Sequence, residues 1–282
     1  AANKIDCQKA EASGMDAAML DRLLLNTSRL EGIAHDVLAV AALPDPVGEV
    51  IDMRTLPNGL QVSRRRVPLG VIGSIYESRP NVTVDISVLC LKSGNACILR
   101  GGKEAIHSNT VLAQVVREAA AEAGVPQDAV QFVRHTDREL VNLMLQMKDT
   151  IDLLIPRGGE GLIRFVAEKA AMPVVTGGIG VCHTYVDKRA DLDKASAIIY
   201  NAKVQRPTVC NALDTILIHS EVALSYLPVI AKELSKAGVE LHCDRRSMRI
   251  LKPVRGLTLA PATKGDWGKE FLSLKAAVKV VD

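Results

Sequence analysis

The chain has 282 residues, 48% of them hydrophobic and 24% charged, which suits about two domains and a core that needs neither disulfides nor metals. That composition excludes a disordered chain, a collagen-like fibre and a coiled coil. Aromatics at 3% and a net charge of +3 argue against a dedicated nucleic-acid binder, which needs stacking platforms or a strong basic patch.

The start, Ala1-Ala2-Asn3-Lys4, has neither an initiator Met nor an apolar leader and reads as a trimmed end. Residues 15–42 carry Leu20, Leu23, Leu24, Ile33, Val37, Leu38 and Val40 at helical spacing, ended by Leu43-Pro44-Asp45-Pro46. Residues 47–66 read as a β-hairpin turning at Pro57-Asn58-Gly59, because Asn and Gly both tolerate positive φ. Its basic run, Arg64-Arg65-Arg66, suits a solvated strand edge.

From there strands and helices alternate. Strands are expected at 67–76, 96–99, 130–133, 151–155 and 173–176. Helices are expected at 82–92, from a cap at Ser108 or Asn109 to Ala123, at 137–148 with Leu140, Leu143, Met144 and Met147 on one face, and at 160–171. A second α/β unit follows after about residue 186, with strands 183–187, 213–219 and 239–243 and helices 191–201 and 221–236. Continuous apolar strands separated by helices mean βαβ units and parallel sheets.

Six cysteines, at 7, 90, 97, 182, 210 and 243, form no CxxC pair and no zinc spacing. They read as reduced thiols of a cytoplasmic protein, with Cys90 and Cys97 as small core residues. No apolar run reaches the length of a membrane span.

Several familiar motifs fail. Gly178-Ile179-Gly180 lacks the third glycine of a GxGxxG turn, Cys97 and Glu104 break a P-loop, and neither HExxH nor GxSxG occurs. Three glycine-rich turns remain at strand ends: Arg100-Gly101-Gly102-Lys103, Arg157-Gly158-Gly159-Glu160-Gly161 and Thr176-Gly177-Gly178-Ile179-Gly180. Ligands of open parallel sheets bind beyond the carboxyl ends of strands, where glycines let amides approach phosphate. Ordinary βα turns explain the same glycines.

Cys210 differs from the other thiols. It lies in the polar segment Asn201-Ala202-Lys203-Val204-Gln205-Arg206-Pro207-Thr208-Val209-Cys210-Asn211, where cations favour the nucleophilic thiolate. A packed thiol is the alternative. Asn81, in Glu77-Ser78-Arg79-Pro80-Asn81, could offer its amide to an oxyanion, or could cap a helix.

Together, in this order, these segments resemble the gamma-glutamyl phosphate reductases of the aldehyde dehydrogenase superfamily. The resemblance extends through Val67-Pro68-Leu69-Gly70-Val71-Ile72-Gly73, Glu77 to Asp85, Leu99 to Glu104, Ile155-Pro156-Arg157-Gly158-Gly159, Thr176 to His183, and Gln205-Arg206-Pro207 with Cys210-Asn211. It implies a Rossmann-like, NADP-binding parallel-sheet domain (1–46 and 67–185), a hairpin oligomerisation arm (47–66) and a second α/β catalytic domain (186–282). It also implies reduction of L-glutamyl 5-phosphate to L-glutamate 5-semialdehyde with NADPH, the second step of proline biosynthesis from glutamate. A homo-oligomer is implied, with glutamate 5-kinase as the partner that supplies the acyl phosphate. Family members run on well beyond Asp282, and activity of the chain as written is therefore not assumed.

On this resemblance Cys210 is the catalytic thiol and Asn81 the oxyanion donor. The cofactor residues are Arg100, Gly101, Gly102, Lys103, Gly158, Gly159, Gly177 and Gly178. Arg79, Lys203 and Arg206 are candidates for the substrate's phosphate or carboxylate. Lys103 stands where NAD-preferring relatives often have Glu, which favours a 2′-phosphate. Val175 stands where aldehyde-oxidising relatives carry the Glu that activates water, and an apolar side chain cannot be a base. His183 reads as a hydrogen-bonded structural residue before it reads as an acid. Two other readings remain: a non-catalytic, reductase-like nucleotide-binding scaffold, and an aldehyde-oxidising dehydrogenase.

Overall fold

Contiguous apolar runs become buried parallel strands in both halves of the chain. The computed structural model describes residues 1–177 and 180–282. Two units are bounded as Ala1–Gly177 and Gly178–Asp282. The division thus falls before the strand at 182–186, whereas the sequence placed it after residue 185; that strand pairs in the second sheet.

The first unit opens with three helices, α1 (Ala2–Ala12), α2 (Ala17–Leu23) and α3 (Thr27–Ala41). A hairpin follows, β1 (Val50–Thr55) and β2 (Gln61–Arg65), antiparallel and exposed along its whole length. Its turn is wider than a two-residue Asn-Gly turn. Gly59 donates to the Leu56 carbonyl at 2.9 Å, and Gly59, not Asn58, takes the positive φ. Pro57 presets the φ of the first turn position, so a type I turn closed by a left-handed glycine results.

Next come β3 (Val71–Tyr76), α4 (Asn81–Lys92), β4 (Ala96–Gly101), α5 (Ile106–Glu122), β5 (Val130–Phe132), α6 (Glu139–Gln146), β6 (Leu153–Arg157) and α7 (Glu160–Lys169). The sheet order is β5-β4-β3-β6, all parallel. Ile72, Ile75, Leu99, Leu154 and Val166 are buried against the helices, and Cys90 and Cys97 lie among them as expected. Each such aliphatic chain contributes roughly 1.5–3 kcal/mol of burial.

Four expectations are corrected. Residues 67–70 precede the strand, because Pro68 has no N–H and the Leu69 and Gly70 amides donate to Asn95 Oδ1. Ser108 and Asn109 are buried inside α5 and do not cap it. The cap comes from α1: Asp6 accepts from the Ser108 amide at 2.7 Å, from its hydroxyl at 2.6 Å and from the His107 amide at 3.3 Å. A carboxylate there also complements the helix dipole. On α6 the buried face is Val141, Met144 and Leu145, and Leu143 is exposed. Residues 173–176 make a single bridge, Leu154 to Val174, at the sheet edge.

The second unit contains β7 (Cys182–Val186), α8 (Leu192–Val204), β8 (Leu213–His219), α9 (Ser220–Lys236), β9 (Glu240–Cys243), α10 (Arg245–Leu251), β10 (Thr258–Pro261) and β11 (Lys275–Val281). Its parallel sheet has the order β10-β9-β11-β8-β7. Ile216, Ile218, Ile230, Leu234 and Val278 form its core. Among the described residues no helix is long and apolar enough to cross a membrane.

Candidate active site

In the second unit α8 ends at Val204 and β8 begins at Leu213, so Cys210 sits on the loop between them. Its thiol is free and exposed. The backbone beneath it has two close neighbours. Cys182 Sγ donates to the Cys210 carbonyl at 3.5 Å. A Cβ on Gly180 would stand 3.0 Å from that same carbonyl, so glycine is needed for the close approach. Burial, and then the Asp214 charge, push the Cys182 thiol up, which keeps it a donor.

Asp214 is buried and accepts from the Cys182 amide at 3.3 Å and the Phe271 amide at 2.9 Å. Lys203 corrects a sequence expectation. It is 0% exposed and its ammonium donates to the Leu213 carbonyl at 2.5 Å. Burial pulls it below its ordinary value, with the Asp214 charge opposing. It braces the base of the loop and does not face solvent to meet a substrate. Arg206, on the same loop, is exposed. His183 Nδ1 lies 3.0 Å from the Val181 carbonyl, as a structural histidine would.

In the first unit Asn81 opens α4. The residue before it is Pro80, and no side chain caps the helix. Asn81 instead donates from Nδ2 to Asp85 Oδ2 at 2.9 Å. That uses one amide proton and leaves the other for a ligand. The strand end before it is anchored: the Ser78 amide and hydroxyl donate to Glu104 Oε1 at 2.6 and 2.8 Å, with Ser78 at φ +39°. Arg79, between Ser78 and Asn81, is half-buried.

Beyond the carboxyl ends of β3 and β4 lies a 670 Å³ cavity, with Tyr76, Arg100, Gly102, Lys103, Arg138 and Phe165 in its wall. Arg100 Nη2 donates to the Thr136 carbonyl at 3.2 Å, and its Nε is buried without a partner. Burial, and then Arg138, lower the Arg100 guanidinium from its ordinary value, against Glu104. Glu77, Glu104 and Glu139 share that wall with the three cations, so the orphaned Arg100 donor is the feature that fits a phosphate-bearing ligand.

The glycines beside the cavity serve protein packing. Gly101 leaves room for Asn109 and Tyr76, and Gly102 for Glu104. A Cβ on Gly158 would lie 2.5 Å from Glu77 Oε2, and that carboxylate already accepts from the Gly159 amide at 3.0 Å. The Gly159 amide is therefore committed to Glu77. Gly177 adjoins open space, and Gly178 lies outside the described residues. Val175 is 53% exposed. Sequence reasoning missed Arg138, although its loop also leaves a strand's carboxyl end.

The first parallel α/β unit thus carries a cavity walled by cations and carboxylates, and the second carries an exposed thiol on the loop before β8. Residues 31–248 match the aldehyde dehydrogenase family. The gamma-glutamyl phosphate reductase of Dehalococcoides mccartyi is 62% identical over 281 residues, covering 100% of this chain and 66% of that protein. The crystal structure of the Thermotoga maritima reductase of that name is 46% identical with a TM-score of 0.90, covering 99% of this chain and 66% of the other. The Saccharomyces cerevisiae one is 33% identical with a TM-score of 0.59, covering 99% and 69%. The chain belongs to the aldehyde dehydrogenase family and, within it, to the gamma-glutamyl phosphate reductases. It spans 66% of the length of the Dehalococcoides relative. The family implies a nicotinamide cofactor.

Proposed function

We propose that the full-length protein reduces L-glutamyl 5-phosphate to L-glutamate 5-semialdehyde with NADPH and releases phosphate. The observation that carries this reading is the exposed Cys210 thiol on a loop whose carbonyl accepts from Cys182 and is closely approached by Gly180. The sulfur adds to the acyl carbon as a thiolate, the C–O bond to phosphate breaks, and a thioester forms. Phosphate leaves as a stable anion and needs little protonation. The Cys210 amide serves the oxyanion, and the family resemblance gives Asn81 the same task. The nicotinamide, when bound, supplies hydride. Val175 brings no base that could activate water against the thioester, which favours reduction over aldehyde oxidation.

NADP is favoured by Arg100, Lys103 and Arg138, which offer their charge to a 2′-phosphate. Lys103→Glu is expected to lower the preference for NADPH over NADH by about 10–100-fold, since a charge-assisted bond is worth roughly 1.5–3 kcal/mol. Paired kcat/KM values for the two cofactors check it. The exposed hairpin, with Met53 and Leu60 among its uncovered apolar residues, suits an arm that joins copies of this chain in a homo-oligomer. A cytoplasmic setting and supply of the labile acyl phosphate by glutamate 5-kinase complete the reading. Arg79 and Arg206 stand as its substrate-binding cations.

The test runs the reaction backwards with full-length protein, glutamate semialdehyde, NADP and phosphate, followed by nicotinamide absorbance. Phosphate-dependent reduction of NADP is the expected result. Equal rates without phosphate would make the protein an aldehyde oxidiser. Silence despite measurable NADP binding would make it a scaffold.

A further inference from the structure

Helices α3 and α4 pack side by side in the first unit and leave a 450 Å³ groove. Its floor is aliphatic, with Val37 and Val40 from α3 and Val82 and Ile86 from α4. Three charged side chains enter it: Asp36 from α3, Asp85 from α4 and Arg157 from the end of β6. Among the described residues none of the three is held in an ion pair. Two carboxylates and one guanidinium along an apolar groove are the complement of a zwitterion. The ammonium of an α-amino acid matches the pair of carboxylates, and its carboxylate matches the guanidinium.

We propose that this groove receives the α-amino-acid end of the substrate, with Asp36 and Asp85 taking the ammonium and Arg157 the α-carboxylate. The inference rests on the glutamyl phosphate reading and deepens it. Asn81 donates to Asp85 Oδ2 at 2.9 Å, which holds one carboxylate oxygen in the groove wall and leaves the other for an ammonium. The environment of Asp85 agrees: burial pushes its carboxyl up, the Asn81 bond and Arg157 pull it down, and the Asp36 charge pushes it up again. A bound ammonium relieves that repulsion between the two acids. Asp36 is exposed on its helix, so its replacement by the isosteric amide leaves the fold intact.

The test compares two aldehydes in the reverse reaction of the full-length protein: glutamate semialdehyde and 5-oxopentanoate, which lacks only the amino group. Asp36→Asn is expected to lower kcat/KM for glutamate semialdehyde by about 10–100-fold and to leave 5-oxopentanoate within about twofold, as loss of one charged contact predicts, whereas Asp85→Asn, which also disturbs the Asn81 bond, should lower both and glutamate semialdehyde the more. Arg157→Gln should weaken both, since both keep the carboxylate. Equal losses on the two aldehydes in the two Asp variants would overturn the inference, because a merely structural effect, or one passed through Asn81, does not distinguish them. Calorimetric binding of L-glutamate separates the two readings. Binding that depends on Asp36, in a protein with no phosphate-dependent turnover, keeps the groove and sinks the reaction. Turnover with glutamate affinity indifferent to Asp36 and Asp85 sinks the groove and keeps the reaction.

Discussion

Replacing Cys210 with alanine in the full-length protein is expected to lower kcat for the phosphate-dependent reaction by at least about four orders of magnitude, the scale seen when a covalent nucleophile is removed. The physical reason is that a thiol is a far better nucleophile than the Thr208 hydroxyl on the same loop. The Lys203 amine, at the end of α8, is 0% exposed and committed to the Leu213 carbonyl. Cys182 is half-buried and donates to the Cys210 backbone, a contact that survives because alanine keeps the carbonyl. NADP affinity is expected to be unchanged, since Arg100, Lys103 and Arg138 belong to the other unit. Stopped-flow measurement of kcat and titration of NADPH fluorescence read the two effects separately. Alkylation adds an independent check. Iodoacetamide should modify the exposed Cys210 first, with activity lost in parallel, while the buried Cys90, Cys97 and Cys243 stay unmodified by mass spectrometry. A Cys210→Ala protein within tenfold of wild type would remove the thiol from the mechanism.

Much of this architecture was legible because buried parallel strands are written as uninterrupted apolar runs. Residues 213–218 and 71–76 could be read that way, and the structure buries both. Strand β11 could not. Its lysines, Lys275 and Lys279, interrupt the pattern, yet it occupies the middle of the second sheet between β8 and β9. Helix α1 escaped for the opposite reason: it buries little but Asp6 and Ala10. What holds it is distant polar bonding, with Asn3 donating to the Leu23 carbonyl and Asp6 capping α5. Bonds that span a hundred residues leave no local periodicity. The same blindness misassigned the cap to Ser108 and Asn109, which have the right chemistry but sit one turn too far inside the helix.

At the site, residue type was readable where the local chain alone sets exposure. Cys210 and Arg206 are loop residues, and both are exposed. Lys203 belongs to the last turn of α8, and the helical rotation that turns it inward depends on packing against β8. Glu77 shows the complementary limit. Its carboxylate fills the Gly158-Gly159 turn from a strand end 82 positions away in sequence. A glycine pair beside an arginine resembles a phosphate cradle until the neighbouring strand is known. The pairing of Asp36 with Asp85 across a groove is likewise a property of helix packing, and neither residue stands out in the sequence.

Asn81→Ala is expected to lower kcat by about 10²–10³-fold with little change in KM, the cost of losing one preorganised oxyanion donor. The argument starts from its hydrogen bonds. One proton of the Asn81 amide is spent on Asp85, no side chain caps α4, and the second proton has a role only when a ligand is present. A residue kept only to brace Asp85 would behave differently: its loss would shift thermal stability and glutamate affinity and would leave kcat alone. The isosteric Asn81→Asp variant sharpens the distinction. It preserves shape but replaces the donor with a second carboxylate beside Asp85, so its kcat should fall further than that of the alanine variant. Raising pH should widen the gap as the new carboxylate ionises. Rates of the two variants measured at saturating substrate, together with their melting temperatures, decide the matter. A kcat within threefold of wild type for Asn81→Ala, with reduced affinity for glutamate, would assign Asn81 to the groove rather than to the oxyanion.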